Sequence, residues 1–240
     1  EEKITVYNIA KRYKCSASFI RNLAKVNNIP IMNFKDFLDK VKKVKHNPFE
    51  DLKSPDTQYW LGMLVTDGAI FEDRISLSLQ EQDINHIDKY ILFLKGNNLN
   101  KFKTVKDNKF ISYGVNFRNR DVVNFLALLG ITSKKSYTVE YKYPLNADFL
   151  RGVIDGDGYI RKNHSEVSIS TASETFANQI KSFIIQNYNV NCTIRKTKPN
   201  MYCVGVYGKR QVEKVLNILY LNANTYLERK YNKAMLNSNV

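Results

Sequence analysis

Trp60-Leu-Gly-Met-Leu-Val-Thr-Asp-Gly68 and Leu150-Arg-Gly-Val-Ile-Asp-Gly-Asp-Gly158 follow one pattern: an apolar run, two small residues four apart, then Asp-Gly. Asp67 and Asp157 stand 90 residues apart, so each motif heads its own half of the chain. Gly62 with Thr66, and Gly152 with Gly156, fall on one face of a helix, where small residues let two helix backbones approach closely. Packed along those faces the two helices end together, and Asp67 meets Asp157. Gly68 and Gly158 are expected to permit a sharp exit into the next strand, as glycine does after a helix C-terminus.

The helix dipole opposes a carboxylate at a C-terminal end by roughly 0.3–1 kcal/mol at an exposed site. Two such ends side by side call for a cation. Oxygen-only ligands with no His or Cys nearby suit Mg²⁺, held by Asp67 and Asp157, with Mn²⁺ as a substitute. Between protein and phosphate, such ions can activate a water and stabilise a leaving oxygen, which is phosphodiester hydrolysis.

Around the motifs a rhythm of helix, strand, strand, helix, strand, strand, helix runs twice. In the first half it reads as a helix near 57–66, strands at 69–71 and 74–80, a helix at 84–94, strands at 100–106 and 110–117, and a helix at 122–129. In the second half it recurs as 147–154, 159–162, 166–171, 174–188, 191–198, 202–207 and 211–219. The repeat predicts an α+β fold of two pseudo-twofold-related αββαββα halves with curved antiparallel sheets, over 56–144 and 145–240.

The chain has 240 residues, 43% of them hydrophobic, enough for a buried core. Lys and Arg number 37 against 23 Asp and Glu, a net charge of +14 that points to a polyanionic partner. No apolar run approaches the roughly 18 residues of a membrane span, so nucleic acid is favoured over a membrane. Cys15, Cys192 and Cys203 are odd in number and lack ligand spacing, which indicates free thiols in a reducing, cytoplasmic or organellar setting. No secretion signal is read at the N-terminus.

Before the repeat, Ile4 to Ile31 reads as two short helices. Ile9, Ala10, Tyr13, Ile20 and Leu23 supply an apolar face, Ser16 is an N-cap, and Asn27-Asn28-Ile29-Pro30 ends the second helix. The pattern resembles the helix-turn-helix of resolvase-like and phage regulatory proteins, which implies a module at 1–33 with Ser18, Arg21, Asn22 and Lys25 facing DNA. Lys40, Lys42, Lys43 and Lys45, followed by Asn47-Pro48 and Ser54-Pro55, mark a basic linker over 34–55.

The duplicated motifs resemble those of the LAGLIDADG homing endonucleases over about Asp56 to Ala234. The second matches closely; the first is looser, with Val65 at an often acidic position and Thr66 at a small one. The resemblance places the catalytic acidic residue at Asp67 and Asp157 and makes Asp155 a non-ligand. It further implies polar and basic residues around the cleavage centre, at Gln80, Thr171, Lys135 and Lys230, with Lys134 or Arg229 able to exchange with their neighbours. Each sheet is then expected along a DNA major groove. Candidates are Arg74, Ser76, Ser78, Lys103, Lys106, Tyr113, Asn116 and Arg118 in half one, and Arg161, Lys162, Ser168, Ser170, Arg195, Lys196, Lys198, Tyr202 and Tyr207 in half two.

The resemblance implies a monomer that cuts both strands of a long asymmetric double-stranded DNA target with Mg²⁺, leaving short 3′ extensions. It also implies an intron-encoded or free-standing mobile element. The alternative on the same fold is a nucleic-acid binder that does not cut, an intron maturase or a helix-turn-helix transcription regulator. An intein is not expected, because Glu1 and Ser238-Asn239-Val240 lack the residues that splicing needs.

Overall fold

The structure, a computed structural model, describes residues 6–31, 43–107 and 109–235. Lys40, Lys42 and the start of the expected linker lie outside them. The described residues fall into two compact units, within 1–42 and 43–240.

In the smaller unit, α1 (Val6–Arg12) and α2 (Ala17–Val26) are joined by a turn in which Lys14 takes a positive φ of 51°. Ser16 is the N-cap expected, its Oγ accepting from the Phe19 amide at 3.0 Å. Asn27 caps the other end and Asn28 (φ 53°) turns the chain away. Ala10 and Ala24 are buried, whereas Tyr13 and Leu23 are exposed. Ser18, Arg21, Asn22 and Lys25 are all exposed along α2.

The larger unit contains the repeat. Its first half runs α3 (Pro55–Thr66), β1 (Gly68–Ile70), β2 (Arg74–Gln80), α4 (Ile84–Leu94), β3 (Phe102–Lys106), β4 (Phe110–Arg118), α5 (Arg120–Leu128) and α6 (Lys135–Thr138). The second runs α7 (Ala147–Asp157), β5 (Gly158–Ile160), β6 (Glu166–Thr171), α8 (Glu174–Tyr188), β7 (Thr193–Lys198), β8 (Met201–Tyr207), α9 (Lys209–Tyr220) and α10 (Glu228–Met235). The two sheets are antiparallel with equivalent orders, β1-β2-β4-β3 and β5-β6-β8-β7. The fold is therefore α+β with two like halves, as the repeat predicts.

Local chemistry sets the boundaries. Pro55 occupies the first turn of α3, where its missing N–H costs nothing. Asn146 and Ser173 cap α7 and α8, accepting from Phe149 N (2.9 Å) and Phe176 N (3.2 Å). In the strands, Ile75, Leu77 and Leu79 alternate with Arg74, Ser76 and Ser78, so one face packs on helices and the other stays open.

Two stretches differ from the sequence reading. The segment from 43 to 55, read as the end of a linker, carries Val44 and Phe49 fully into the core. A run dense in Lys and Pro hides two apolar anchors that periodicity cannot detect. The short α6 was also not foreseen, because four residues leave no periodic signal.

Candidate active site and nucleic-acid face

The helices α3 and α7 pack along their small residues as expected. A Cβ on Gly62 would lie 2.2 Å from the Phe149 carbonyl oxygen, and one on Gly152 would lie 2.1 Å from that of Tyr59. Neither position has room for any other residue. One turn on, a Cβ on Gly156 would meet Thr66 Oγ1 at 2.0 Å and Asp67 Oδ2 at 2.8 Å. The Asp67 carboxylate thus rests against the last turn of α7, which carries Asp157. Gly68 and Gly158 serve otherwise than expected. Neither takes a positive φ; a Cβ would strike Leu64 O at 2.5 Å and Ile154 O at 2.6 Å, so each is required by the close return of the strand past its own helix.

Electrostatics follow from this geometry. Burial, then the neighbouring Asp157, pushes Asp67 up to about 6 against the pull of Lys135, Arg229 and Lys230. Loss of hydration also raises Asp157, opposed by Lys135 and Lys230. Two carboxylates that repel at the negative ends of two helices form a site that favours a cation. Among the described residues no cluster of three or more His, Cys, Asp or Glu could enclose a metal. A pair of carboxylates is a donor set of the kind Mg²⁺ accepts, taking one or two of them and completing its shell with water and phosphate.

Lys135 and Lys230, placed near the centre by the sequence, are buried there in matching roles. Lys135 Nζ donates to Val65 O (2.6 Å) and Thr66 O (3.0 Å). Lys230 Nζ donates to Ile154 O (3.1 Å) and Gly158 O. Each ammonium donates to carbonyls at the end of one motif helix; Ile154 O accepts from the Gly158 amide as well. Burial lowers both, Lys230 to about 8. Lys134 is exposed, and Arg229 pairs instead with the buried Asp83 at 2.9 Å.

Gln80 and Thr171 are not equivalent. Gly68 pairs with Leu77 and Gly158 with Ile169, so the counterpart of Gln80 is Ala172, one residue past Thr171. Gln80 has open-face parity; Thr171 shares the parity of Val167 and Ile169, and its Oγ1 accepts from the Ser173 amide at 3.2 Å.

The same register corrects four candidates for DNA contact. Tyr113 pairs with Leu79 and with Lys103, which puts both on the side of the sheet away from the open face, where Lys103 stays exposed on the edge strand. Tyr202 pairs with Thr171 and with Lys196, which does the same in the second half, and its hydroxyl donates to Glu174 of α8 at 2.7 Å. In each half the lysine lies over the tyrosine ring, at 5.8 and 5.7 Å. The sequence choice mixed strand parities, taking both Tyr113 and Asn116 from β4. By contrast Arg74, Ser76, Ser78, Lys106, Asn116 and Arg118 share the open face of the first sheet. Ser168, Ser170, Arg195, Lys198 and Tyr207 share that of the second, with Arg161 and Lys162 in the turn after β5.

Sequence reasoning left one feature without a role. Asp155 is fully buried and accepts from Tyr59 OH (2.8 Å), Tyr220 OH (2.5 Å) and Leu227 N (2.7 Å). Tyr59 belongs to the first half, and its oxygen also contacts His86 Nε2 at 2.7 Å. The non-ligand acid is thus a knot between the halves.

Comparison with known proteins agrees with this fold. Residues 144–220 match the LAGLIDADG-like domain family, so the second half carries a LAGLIDADG-like domain. The homing endonuclease I-WcaI bound to its DNA recognition sequence superimposes with a TM-score of 0.56 at 12% identity, over 85% of this chain and 96% of that one. I-DmoI in complex with DNA and Ca gives 0.55 at 14% identity, over 80% and 100%. The N-terminal LAGLIDADG domain of WhiA gives 0.52 at 12%, over 80% and 94%. Over 80–85% of its length the chain has the LAGLIDADG fold.

Three curated proteins of Methanocaldococcus jannaschii share sequence with it. They are a probable translation initiation factor IF-2 (24% identical, 73% of this chain), an RNA polymerase subunit Rpo1C (23%, 60%) and a glutamine–fructose-6-phosphate aminotransferase (22%, 73%). The matched segments span only 16–17% of those relatives. No described helix is long and apolar enough to cross a membrane.

Proposed function

We propose that the chain is a site-specific endodeoxyribonuclease that cuts both strands of a long, asymmetric double-stranded target and leaves short 3′ overhangs. The observation that carries this reading is the meeting of Asp67 and Asp157 at the ends of two helices packed without a Cβ between them. Asp67 and Asp157 would hold Mg²⁺ or Mn²⁺, which supplies an activated water and charge stabilisation for the leaving oxygen when bound. Lys135 and Lys230 hold the two helix ends, and the open sheet faces supply the cationic surface for the duplex. Because one chain provides both carboxylates, the active form is a monomer. The unit within 1–42 adds DNA contact through Ser18, Arg21, Asn22 and Lys25.

The same segment occurs as a small fraction of three relatives whose named roles are unrelated. That distribution supports a mobile element carried independently of its host.

Cleavage of a randomised DNA library with added Mg²⁺ tests the reading. Asp67→Asn and Asp157→Asn should bind selected targets but lose double-strand cutting by about a hundredfold or more, since metal stabilisation is worth several kcal/mol. Full cutting by either variant would refute the mechanism. The likeness to the WhiA domain, a protein not named as a nuclease, favours one competitor, binding without cleavage. Tight binding with no nicking at any Mg²⁺ or Mn²⁺ concentration would select it.

A further inference from the structure

Among the described residues of the two sheets' strands, Glu166 is the only acidic one. It pairs with Tyr207 and shares the open face with Ser168 and Ser170. A carboxylate there opposes the phosphates of any duplex, so its presence demands a role. Its Oε2 accepts from Arg161 Nε (3.2 Å) and Nη2 (2.7 Å), and its Oε1 accepts from Ser168 Oγ (3.0 Å). The Glu166 side chain is 13% exposed, that of Arg161 50%. The guanidinium holds the carboxyl below its usual range, so it stays ionised.

The carboxylate occupies the side edge of the guanidinium. One Nη1 hydrogen and the second Nη2 hydrogen remain along the end edge, the pair of donors that grips guanine O6 and N7. An arginine neutralised by a carboxylate also has less general attraction for phosphate. What remains to it is directional bonding, with rotamer freedom already lost before the duplex arrives. Arg161 also lies over the Tyr159 ring at 5.8 Å, much as Arg74 lies over Phe71 at 4.2 Å and Arg195 over Tyr207 at 4.8 Å. What sets it apart is the two-point hold of a carboxylate, whereas Arg118 meets Asp73 at a single 3.3 Å contact while 72% exposed.

We propose that Arg161 reads a guanine in the DNA under the second sheet, and that Glu166 is the positioning residue that turns it toward the base. This rests on the DNA-endonuclease reading above. Arg161 stands four positions after Asp157, at most about 14 Å of chain, or on the order of four base pairs at 3.4 Å each. The guanine therefore belongs to the inner part of the site.

Binding selection from a randomised duplex library, with the full chain in EDTA, tests this. The unchanged protein should enrich a guanine at one inner position. Arg161→Ala should flatten that position alone and weaken binding to the selected DNA by about 10- to 100-fold. Glu166→Ala and the isosteric Glu166→Gln should relax the same position while keeping affinity within about tenfold. In Glu166→Ala the freed arginine finds a phosphate, so the slope of log K against log salt should steepen by about 0.9. A merely structural glutamate would move neither base preference nor slope.

A guanine that survives Arg161→Ala overturns the assignment. Preference and slope unchanged in both Glu166 variants overturn the positioning role. Enrichment of no sequence by the unchanged protein would bring down the DNA reading itself, and this inference with it.

Discussion

Two residues before its Asp, the first motif helix carries Val65 and the second carries Asp155. Val65 packs into the apolar core, whereas Asp155 gathers two tyrosine hydroxyls and an amide. The halves share a helix interface, a sheet order and a buried lysine at each helix end, so duplication preserved what builds the centre. It did not preserve what ties the halves together. The ties between the halves include Tyr59 to Asp155, Arg229 to Asp83, Lys89 to Glu228 and the reciprocal pair of Tyr141 with Gln179. A single chain can afford this asymmetry because each half always meets the same partner.

The comparison breaks most completely where the halves touch. Gly62→Ala and Gly152→Ala each place a Cβ just over 2 Å from a backbone oxygen of the facing helix. Backbone cannot step aside as a side chain can, so each should cost on the order of 3 kcal/mol, the upper part of the overpacking range. Urea unfolding measures it, and a loss below about 1 kcal/mol in either would show that the helices do not approach as described.

Replacing Asp155 by its first-half counterpart asks whether the difference matters. Asp155→Val orphans the Tyr220 hydroxyl and the Leu227 amide at a wholly buried site, at about 1–3 kcal/mol for an unpaired group. The expected loss is roughly 3 kcal/mol, although valine is accommodated at position 65. Tyr220→Phe in the same chain should return part of it. The fold raises Asp155 from 3.8 to about 6, chiefly by burial. Its stabilising contribution is then fullest below the unfolded value and fades as pH rises through 6. The deficit of Asp155→Val should be larger at pH 4 than at pH 7, and a deficit growing with pH would contradict the burial argument.

The lysines test what the halves retain in common. Lys135→Met and Lys230→Met each remove an ammonium that bonds two carbonyls at a motif helix end, at about 1–3 kcal/mol, although Ile154 O keeps the Gly158 amide. The two losses should agree within about 1 kcal/mol if the roles are equivalent. A loss confined to one, read by thermal unfolding, would show that the symmetry of the helix ends is only geometric.

Much of this was legible in the sequence because it rests on short-range rules. Spacing of four puts Gly62 and Gly152 on their helix faces, and alternation sets β2 and β6 to the residue. What escaped depends on register between distant strands. Tyr113 and Tyr202 look like exposed aromatics until pairing with Leu79 and Thr171 turns them toward the helices. Thr171 matches Gln80 as the last residue of its strand, but the second half has two more residues between the paired positions of β5 and β6, and the register counterpart of Gln80 falls on Ala172. Asp155 could be read as a non-ligand, yet its partners lie 65 to 96 residues away and no local pattern names them.

The smallest effect addresses the centre most directly. Without metal, the Asp67 carboxyl should titrate near 6, raised first by burial and second by Asp157. Asp157→Asn removes only the second cause. The midpoint should therefore fall, yet stay above the ordinary value of 3.8 because burial persists. Carbon-detected NMR of the side-chain carboxyl measures both midpoints. An unchanged midpoint would mean that the carboxylates do not sense each other, and the helix ends would then carry two separate acids. The reciprocal variant, Asp67→Asn, should move Asp157 less, since its shift comes from lost hydration rather than from its neighbour. Unequal response to equal substitutions would locate the asymmetry of the halves in the reactive pair itself, with Asp67 as the member whose charge depends on its partner.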